Sequence, residues 1–285
     1  MDLSIIIVNW NVRELLLACL ASIERTKGNV RCEVIVVDNA SSDGSSAAVH
    51  ERFPEVRLLP LTANIGFARA NNRALHEAHG RYIFFLNPDT EVLPGCLERL
   101  VRDLDQHPER ALVAPQIVNP DGTFQKGSIR RDPTILTQFL IMLKVQRFFR
   151  AAGMFSGYYC EDFDPAKEQR VDQPMGAALC VRRSVLDRLG SFDEHFFLWF
   201  EEVDLCKRIR SAGDEIWYDP LARVIHHGGQ SFRQRLPLTK QLIYNRSALH
   251  YFLKHHGIAA ALLLCCAVPF NLAASGIYQI VRKHG

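Results

Sequence analysis

Several things are missing from this chain of 285 residues. Its eight cysteines include no C-x-x-C pair, and apart from the adjacent Cys265 and Cys266 they are scattered singly. That excludes a zinc-ribbon or disulfide-framework reading and predicts reduced, buried thiols in a cytosolic compartment. Charge of one sign is also lacking, with a formal net charge of only +3. Without a basic field to attract a polyanion, nucleic acid is not an expected partner. The opening "MDLSIIIVNWN" has no basic residues ahead of its short apolar run, so it reads as a strand and not as a secretory leader. Glycines are absent after that strand. "NWNVRE" stands where a dinucleotide fold carries Gly-x-Gly-x-x-Gly, and no Walker loop occurs, which excludes the usual grips on NAD and ATP. A response-regulator receiver would need an acidic pair at the same place, and Asn9, Trp10 and Asn11 do not supply one. There is no internal repeat and no low-complexity tract.

What is present alternates regularly. "LSIIIV", "CEVIVVD", "VRLLPL" and "YIFFL" are apolar, β-branched or aromatic runs of strand length. Between them, "VRELLLACLASIERT", "SSDGSSAAVHERF" and "GFARANNRALHEAHG" have helical spacing or helix-capping residues. Strand-helix alternation predicts an α/β fold with a mostly parallel central sheet and right-handed crossovers. Ligands in such sheets bind beyond the carboxyl ends of the strands. The polar clusters fall there: Asn9 to Asn11, Asp38 to Ser42, Asn64 to Gly66 and Asn87 to Asp89. Further on, "CLERLVRDLDQHP" predicts a helix, "ALVAPQIV" a strand and "NPDGTFQ" a turn between strands. The stretch 134–150 is apolar with basic residues at its end, and 151–173 reads as irregular. "PMGAALCVRRSVLDRLG" predicts a strand and short helix, "FFLWFEEVDLCKRIRSAG" a helix, "EIWYDP" and "ARVIHHGG" two short strands, and "TKQLIYNRSALHYFLKHHG" a helix.

Three constellations carry chemistry. Asp38 ends a buried strand, which either caps the next helix or accepts from a ligand donor such as the imide N–H of uracil or thymine. Asp89 follows the strand "YIFFL" across Asn87 and Pro88. That is either an Asx turn or a single carboxylate for a divalent cation held mainly by a diphosphate, as Mg²⁺ and Mn²⁺ favour. In "FLWFEEVDLCK", Glu201, Glu202 and Asp204 suit the first turn of a helix through its dipole. The aromatic wall of Phe196, Phe197, Trp199 and Phe200 adds partial desolvation, which raises a carboxyl pKa toward that of a general base. His226 or His227, at a strand end before two glycines, can complete a metal shell.

Taken together, "SIIIVNWN", "VIVVDNASSDGS", "NIGFARANN", "FFLNPDTEV", "GAALCVRRSVLDRLGSFDE", "FFLWFEEVDLCKRIRSAG" and "VIHHGGQS" resemble the family 2 glycosyltransferases of GT-A fold. The resemblance runs over about residues 3 to 231, in the family's order, and is strongest to the rhamnosyltransferase-like branch of bacterial surface polysaccharide synthesis. It implies an inverting, metal-dependent transfer of rhamnose or a similar sugar from a dTDP- or UDP-linked donor to a glycan or lipid-linked acceptor. By the same resemblance Asp38 binds the base beside Val8 and Asn9, Asn64 and Gly66 contact the nucleotide sugar, and Asn87 reaches the ribose or sugar. Asp89 and His226 hold Mg²⁺ or Mn²⁺. Gly176, Ala177, Trp199 and Asp204 line the donor sugar and acceptor. Glu202 is the base, with Glu201 the alternative because the family's Glu-Asp pair is Glu-Glu here. The Gln-x-x-Arg-Trp motif of processive synthases is absent, with "GQSFRQR" in its neighbourhood, so one sugar per encounter is expected. A non-catalytic nucleotide- or carbohydrate-binding subunit of an assembly complex is the rival reading, and it would tolerate loss of Glu202.

The expected organisation is a catalytic domain over 1–235, with nucleotide-binding and acceptor-binding halves at 1–120 and 121–235, and C-terminal helices over 236–285. The uncharged run Ile258 to Val281 is long enough to cross a bilayer, but Pro269 and Asn271 interrupt it. With basic flanks there and at Lys144, Arg147 and Arg150, surface docking on the inner face of the cell membrane is expected over a true span.

Overall fold

The computed structural model describes residues 1–145, 153–229, 234 and 236–284, with only the backbone for 153–154 and 277–284. Arg147, Arg150 and most of "GQSFRQR" lie outside the described residues, as do the side chains of the basic C-terminal flank.

The first half follows the strand-helix pattern. Strands β1 (Leu3–Asn9), β2 (Cys32–Asp38), β3 (Arg57–Pro60) and β4 (Tyr82–Leu86) pair in parallel in the order β3-β2-β1-β4. Helices α1 (Arg13–Thr26), α2 (Ser45–Arg52) and α3 (Phe67–Leu75) make the crossovers. Every residue of β1 and β4 is buried, because helices cover both sides of the sheet. Alternate side chains serve opposite cores: Ile5, Ile7 and Phe84 pack with Leu16 and Leu20 of α1, whereas Ile6, Val8 and Phe85 pack with Ala70 and Ala74 of α3.

The second half departs from a simple alternation. After β5 (Thr90–Val92), α4 (Cys96–Gln106) and β6 (Arg110–Val118), the chain makes a small sheet from β7 (Ile129–Arg130) and β9 (Gln173–Pro174). Between these two strands lie α5 (Ile135–Met142), α6 (Gly153–Tyr158) and β8 (Gln169–Arg170), so residues 151–173 are less irregular than expected. The stretch predicted apolar over 134–150 is helical over α5. Strand β10 (Ala178–Arg182) inserts antiparallel between β4 and β6. Because it runs backwards, its beginning, and with it Gly176 and Ala177, arrives at the carboxyl end of β4.

After α7 (Arg183–Leu189), the predicted helix "FFLWFEE…" begins only at Glu201, as α8 (Glu201–Ser211). Trp199 and Phe200 adopt left-handed conformations (φ 65° and 70°) and cannot continue a helix. The two short strands expected from "EIWYDP" and "ARVIHHGG" are one strand, β11 (Glu215–His226), with a register shift between Asp219 and Arg223 that accommodates Pro220. β11 pairs parallel with β6 and antiparallel with β5.

Helices α9 (Pro237–His256) and α10 (Ile258–His284) form a hairpin at Gly257 (φ 81°). α10 turns a small-residue face inward: Ala260, Leu264, Ala267 and Asn271 are buried, and Asn271 Nδ2 donates to the Met142 carbonyl at 2.6 Å. Leu262, Leu263 and Phe270 face outward, and so do Cys265 and Cys266, which corrects the expectation of buried thiols at those positions. All eight cysteines are free. Asp204 fastens the hairpin to the domain: its fully buried carboxylate meets Arg208 Nε at 2.8 Å, Lys254 Nζ at 2.8 Å and His255 Nε2 at 2.7 Å.

Candidate functional site

Two adjoining cavities form one cleft beyond the carboxyl ends of β1, β2 and β4. The first is lined by Val8, Trp10, Asn39, Asn64, Gly66 and Phe197, among others, and the second by Gly176, Ala177, Trp199, Glu201, Glu202 and His226. They share Phe67, Asn87, Leu198 and Gly229. The cleft therefore brings together Val8, Asn64, Gly66, Asn87, Asp89, Gly176, Ala177, Trp199, Glu201, Glu202 and His226 from the expected set.

Three expected residues lie elsewhere. Asn9 is fully buried below the strand end, donating through Nδ2 to Asp38 at 3.2 Å and Ser41 at 3.1 Å. Asp38 is buried among the hydroxyls of Ser41 and Ser46, which both donate to it, and is not among the lining residues of either cavity. Asp204 points away from the cleft into the ion-pair cluster with α9, which corrects its placement on the sugar side. Its position two residues after Glu202 turns it to the opposite side of α8 from that side chain.

The loop walls are tied to one another. Asn39 accepts from Ile65 N at 2.9 Å and donates to the Gly66 carbonyl at 3.2 Å, and Asn64 Oδ1 accepts from Gly66 N at 3.1 Å. Gly66 (φ 89°) allows Phe67 N to donate to the Phe197 carbonyl at 2.7 Å, and a Cβ there would stand 2.6 Å from that same oxygen. The turn at Asn64 to Gly66 thus holds the aromatic loop that leads into α8. Two consecutive non-glycine residues in left-handed conformations, Trp199 and Phe200, bring Glu201 and Glu202 to the helix start, a concentration of strain of the kind found at functional sites.

Glu201 and Glu202 differ in access. Glu201 is 5% exposed, whereas Glu202 keeps part of its surface open to the cleft. Burial pushes both carboxyls up, and Glu201 further because Glu202 is its neighbour. The positive charge of Arg130, with the backbone N–H groups at the start of α8 and at Gly176 nearby, opposes that rise for Glu202. Gly176 has room for this approach because it lacks a side chain: a Cβ would meet Glu202 Cβ at 3.3 Å. Each glutamate has one buried oxygen, Oε2, without a hydrogen-bond partner among the described residues.

Across the cleft, the turn Asn87 to Thr90 is fixed by Asn87 N donating to Ala177 O at 2.9 Å and Thr90 Oγ1 donating to Asn87 O at 2.8 Å. The antiparallel ladder sets Thr90 opposite His226, and His227 N donates to Asp89 O at 2.9 Å. His226 Nε2 lies 3.4 Å from Asp89 Oδ1, and both residues are buried. Gln125 Oε1 is 2.8 Å from His226 Nδ1, and Gln125 is itself oriented by donating through Nε2 to Asn119 Oδ1 at 3.0 Å. That makes Nδ1 the protonated nitrogen and turns the Nε2 lone pair toward a carboxylate. His226 Nε2 is a buried atom without a hydrogen-bond partner among the described residues, and its lone pair faces the Asp89 carboxylate. The pair fits a divalent cation with room for further oxygen ligands. A different three-residue group, Asp193, His195 and His250, lies outside the cleft, and Lys254 Nζ, 2.8 Å from Asp193, already supplies its cation.

Sequence reasoning missed Gln125, Arg130, Asn39 and Trp10. Gln125 and Arg130 follow the "NPDG" turn with no local signature, and only the folding of β6 against β11 brings them to the site.

Comparisons with known proteins agree with this geometry. The sequence model described as "Glycosyl transferase family 2" matches residues 4–164. An N-acetylglucosaminyl-diphospho-decaprenol L-rhamnosyltransferase of Mycobacterium tuberculosis is 31% identical over 234 residues, covering 78% of this chain and 75% of the relative. A low-salt glycan biosynthesis hexosyltransferase of Haloferax volcanii is 26% identical over 79% of this chain and 67% of its own length. Among solved structures, a mannosyltransferase from Pyrobaculum calidifontis in complex with GDP-Man and Mn²⁺ superposes with a TM-score of 0.57 at 18% identity, over 97% of this chain and 73% of the other. TarS 1-349 of S. aureus in complex with UDP-GlcNAc gives 0.55 at 16% identity, over 88% and 67%. These structural likenesses establish the GT-A fold. With the family match over more than half of the chain and the cleft where that fold places it, the chain belongs to glycosyl transferase family 2 and is a glycosyltransferase.

Proposed function

We propose that the protein transfers rhamnose or a similar hexose, with inversion, from a dTDP- or UDP-linked donor to a hydroxyl of a glycan or lipid-linked acceptor. The observation that carries this reading is the partly exposed Glu202, packed against Gly176 in a cleft whose other wall is the Asp89–His226 pair. Glu202 receives the proton of the acceptor hydroxyl as it attacks the anomeric carbon. Burial keeps its basicity up, while Arg130 keeps it ionised enough to accept a proton. Glu201 is almost closed off, and burial raises its carboxyl well above the ordinary range, which favours Glu202 for the role. A single displacement from Glu202's side of the cleft gives inversion. The leaving diphosphate belongs at the opposite wall, where Asp89 and His226 would hold a Mg²⁺ or Mn²⁺ ion, and that ion would supply countercharge for the leaving group. Trp10, Asn39 and Asn64 line the nucleotide end.

The acceptor named for the mycobacterial relative is a glycosyl diphosphate on a polyprenol, which suits the C-terminal hairpin. Leu242, Leu253, Ile258, Leu262 and Phe270 are all about half exposed or more on α9 and α10. Residues Ile258–Gly276 are long and apolar enough to cross a membrane, but a third of that stretch is buried against the protein and Asn271 is tied to α5. The hairpin therefore lies on the cytoplasmic face of a bilayer with its outward side in the lipid.

The test is a pair of variants. Glu202→Gln is expected to bind nucleoside diphosphate as the wild type does and to lose transfer about 10²- to 10⁴-fold, the usual contribution of a positioned base. Asp89→Ala is expected to lose the Mn²⁺ dependence of UDP, dTDP or GDP binding in calorimetry. Undiminished transfer by Glu202→Gln would remove it as base, and binding indifferent to both Mn²⁺ and Asp89 would remove the metal.

A further inference from the structure

The loop that delivers the two glutamates is held from two sides, at adjacent carbonyls. Phe197 O accepts from Phe67 N at 2.7 Å, and Leu198 O accepts from Ser247 Oγ at 2.8 Å. The first anchor belongs to the start of α3 and the second to α9, in the C-terminal hairpin. Immediately after these carbonyls come the left-handed pair Trp199 (φ 65°) and Phe200 (φ 70°), and then Glu201 and Glu202. Consecutive left-handed residues with side chains persist only where their surroundings over-determine them. α9 supplies much of those surroundings. Tyr244 packs edge-on to Trp199 with ring centroids 6.0 Å apart, and Tyr244 and Tyr251 lie 5.6 Å and 5.4 Å from Phe200. Tyr244 is itself fixed to α5, its hydroxyl accepting from Gln138 Nε2 at 3.0 Å. Asp193, before the loop turns inward, and Asp204, after it, both meet Lys254 Nζ at 2.8 Å.

Among these contacts, Ser247 is the one whose local preference is overridden. A serine inside a helix ordinarily turns to water or to the carbonyl four residues back. Ser247 is 2% exposed, and its hydroxyl donates to the loop carbonyl instead. The bond holds the peptide from which the left-handed pair turns. We infer that Ser247 is a positioning residue for the transfer: by holding the Leu198 carbonyl it sets the turn through Trp199 and Phe200, and with it the place of the Glu202 carboxylate in the cleft. The hairpin is then part of the reaction's machinery as well as a lipid-facing surface. The inference rests on Glu202 being the base, and adds to that reading the residue on α9 that aims it.

The experiment follows release of nucleoside diphosphate from dTDP-rhamnose and from UDP-glucose with Mn²⁺ present and water in the place of the acceptor. In that reaction the water oxygen bonds the anomeric carbon, its proton passes to Glu202, and the nucleoside diphosphate leaves. The proteins are the full chain, Ser247→Ala, Ser247→Thr, Glu202→Gln and the double variant with Ser247→Ala and Glu202→Gln. Ser247→Ala is expected to lower kcat about tenfold, for a carboxylate displaced by a fraction of an ångström, and Ser247→Thr, which keeps the hydroxyl, to recover most of that loss. In the Glu202→Gln background the same Ser247→Ala change should alter the residual rate less than about twofold, because no base is left to misplace. Amide hydrogen exchange on the same proteins should quicken over residues 198–204 in Ser247→Ala and stay as in the wild type elsewhere. An unchanged kcat in Ser247→Ala, an equal loss in the Glu202→Gln background, or faster exchange spread over the whole chain overturns the inference. With Glu202→Gln slow, each of these leaves the transferase reading intact. A Glu202→Gln enzyme as fast as the wild type, or a wild type that releases neither nucleotide, overturns both.

Discussion

Gly66→Ala tests how the cleft is held together. At φ 89° and ψ 173° the backbone lies in a region that only glycine occupies comfortably, and a side chain there costs about 1–3 kcal/mol. The new Cβ would also stand 2.6 Å from Phe197 O and 2.9 Å from Phe197 Cδ2. Clearing those contacts moves the Phe197 backbone by roughly half an ångström and weakens the bond from Phe67 N, worth about another 1 kcal/mol. A loss of about 2–4 kcal/mol follows, a large part of the stability of a typical domain. The displaced loop carries Glu202, and since misplacement by about 1 Å can cost a hundredfold in rate, the folded variant should turn over about tenfold more slowly. Urea unfolding followed by circular dichroism measures the first quantity. Turnover in buffer, where the variant remains folded, measures the second. A stability change under about 0.5 kcal/mol with normal turnover would refute the claim that Gly66 sets the position of the loop before α8.

Three other outcomes are expected. Gln125→Leu leaves Asp89 and His226 in place but frees the His226 tautomer, so Mn²⁺ affinity measured by calorimetry should fall about 10- to 100-fold, and unchanged affinity would remove Gln125 from the site. Glu201→Gln should be more stable than wild type at pH 8 and equal to it near pH 4. The folded-state pKa is raised above the ordinary 4.5, chiefly by burial, so the wild type loses stability as pH rises through it, by at most about 1.4 kcal/mol per pH unit. Equal stability of the two proteins at pH 8 would contradict that shift. Asp204→Ala strands Arg208 and His255 without that acid, leaves Lys254 to Asp193, and should cost about 3–5 kcal/mol in denaturant unfolding, with the α9–α10 hairpin becoming protease-sensitive first.

The sequence was most legible where a local pattern and its tertiary environment agree. β1, β2 and β4 are buried on both faces and read as continuous apolar runs, and the turns beyond them carry Asn64, Asn87 and Asp89. It was least legible where long-range packing overrides local signals. Phe196 to Phe200 looks like a helix start, but left-handed residues break it so that both glutamates reach the cleft. Asp204 shares a helical turn with Glu202, yet it meets Lys254 and His255 of α9, more than forty residues later. Asp38 reads as an open acceptor at a strand end, but Ser41 and Ser46 fold over it. Gln125 and Arg130 carry no local pattern, because their importance lies in which elements face them.

The reversed strand β10 has a consequence for how this chain comes to be folded. During synthesis β4 has a partner on one side only, β1, until residues 178–182 emerge. β6 is likewise without β10, and nothing else joins it to the β1–β4 half of the sheet. For roughly ninety residues of elongation an apolar strand edge, "YIFFL", stands unpaired, which is the kind of edge that recruits other chains. The β1–β4 half of the sheet is thus left unfinished on the ribosome until β10 arrives. A fragment ending near residue 120 would be expected to aggregate, so the cleft and a soluble sheet are completed by the same strand.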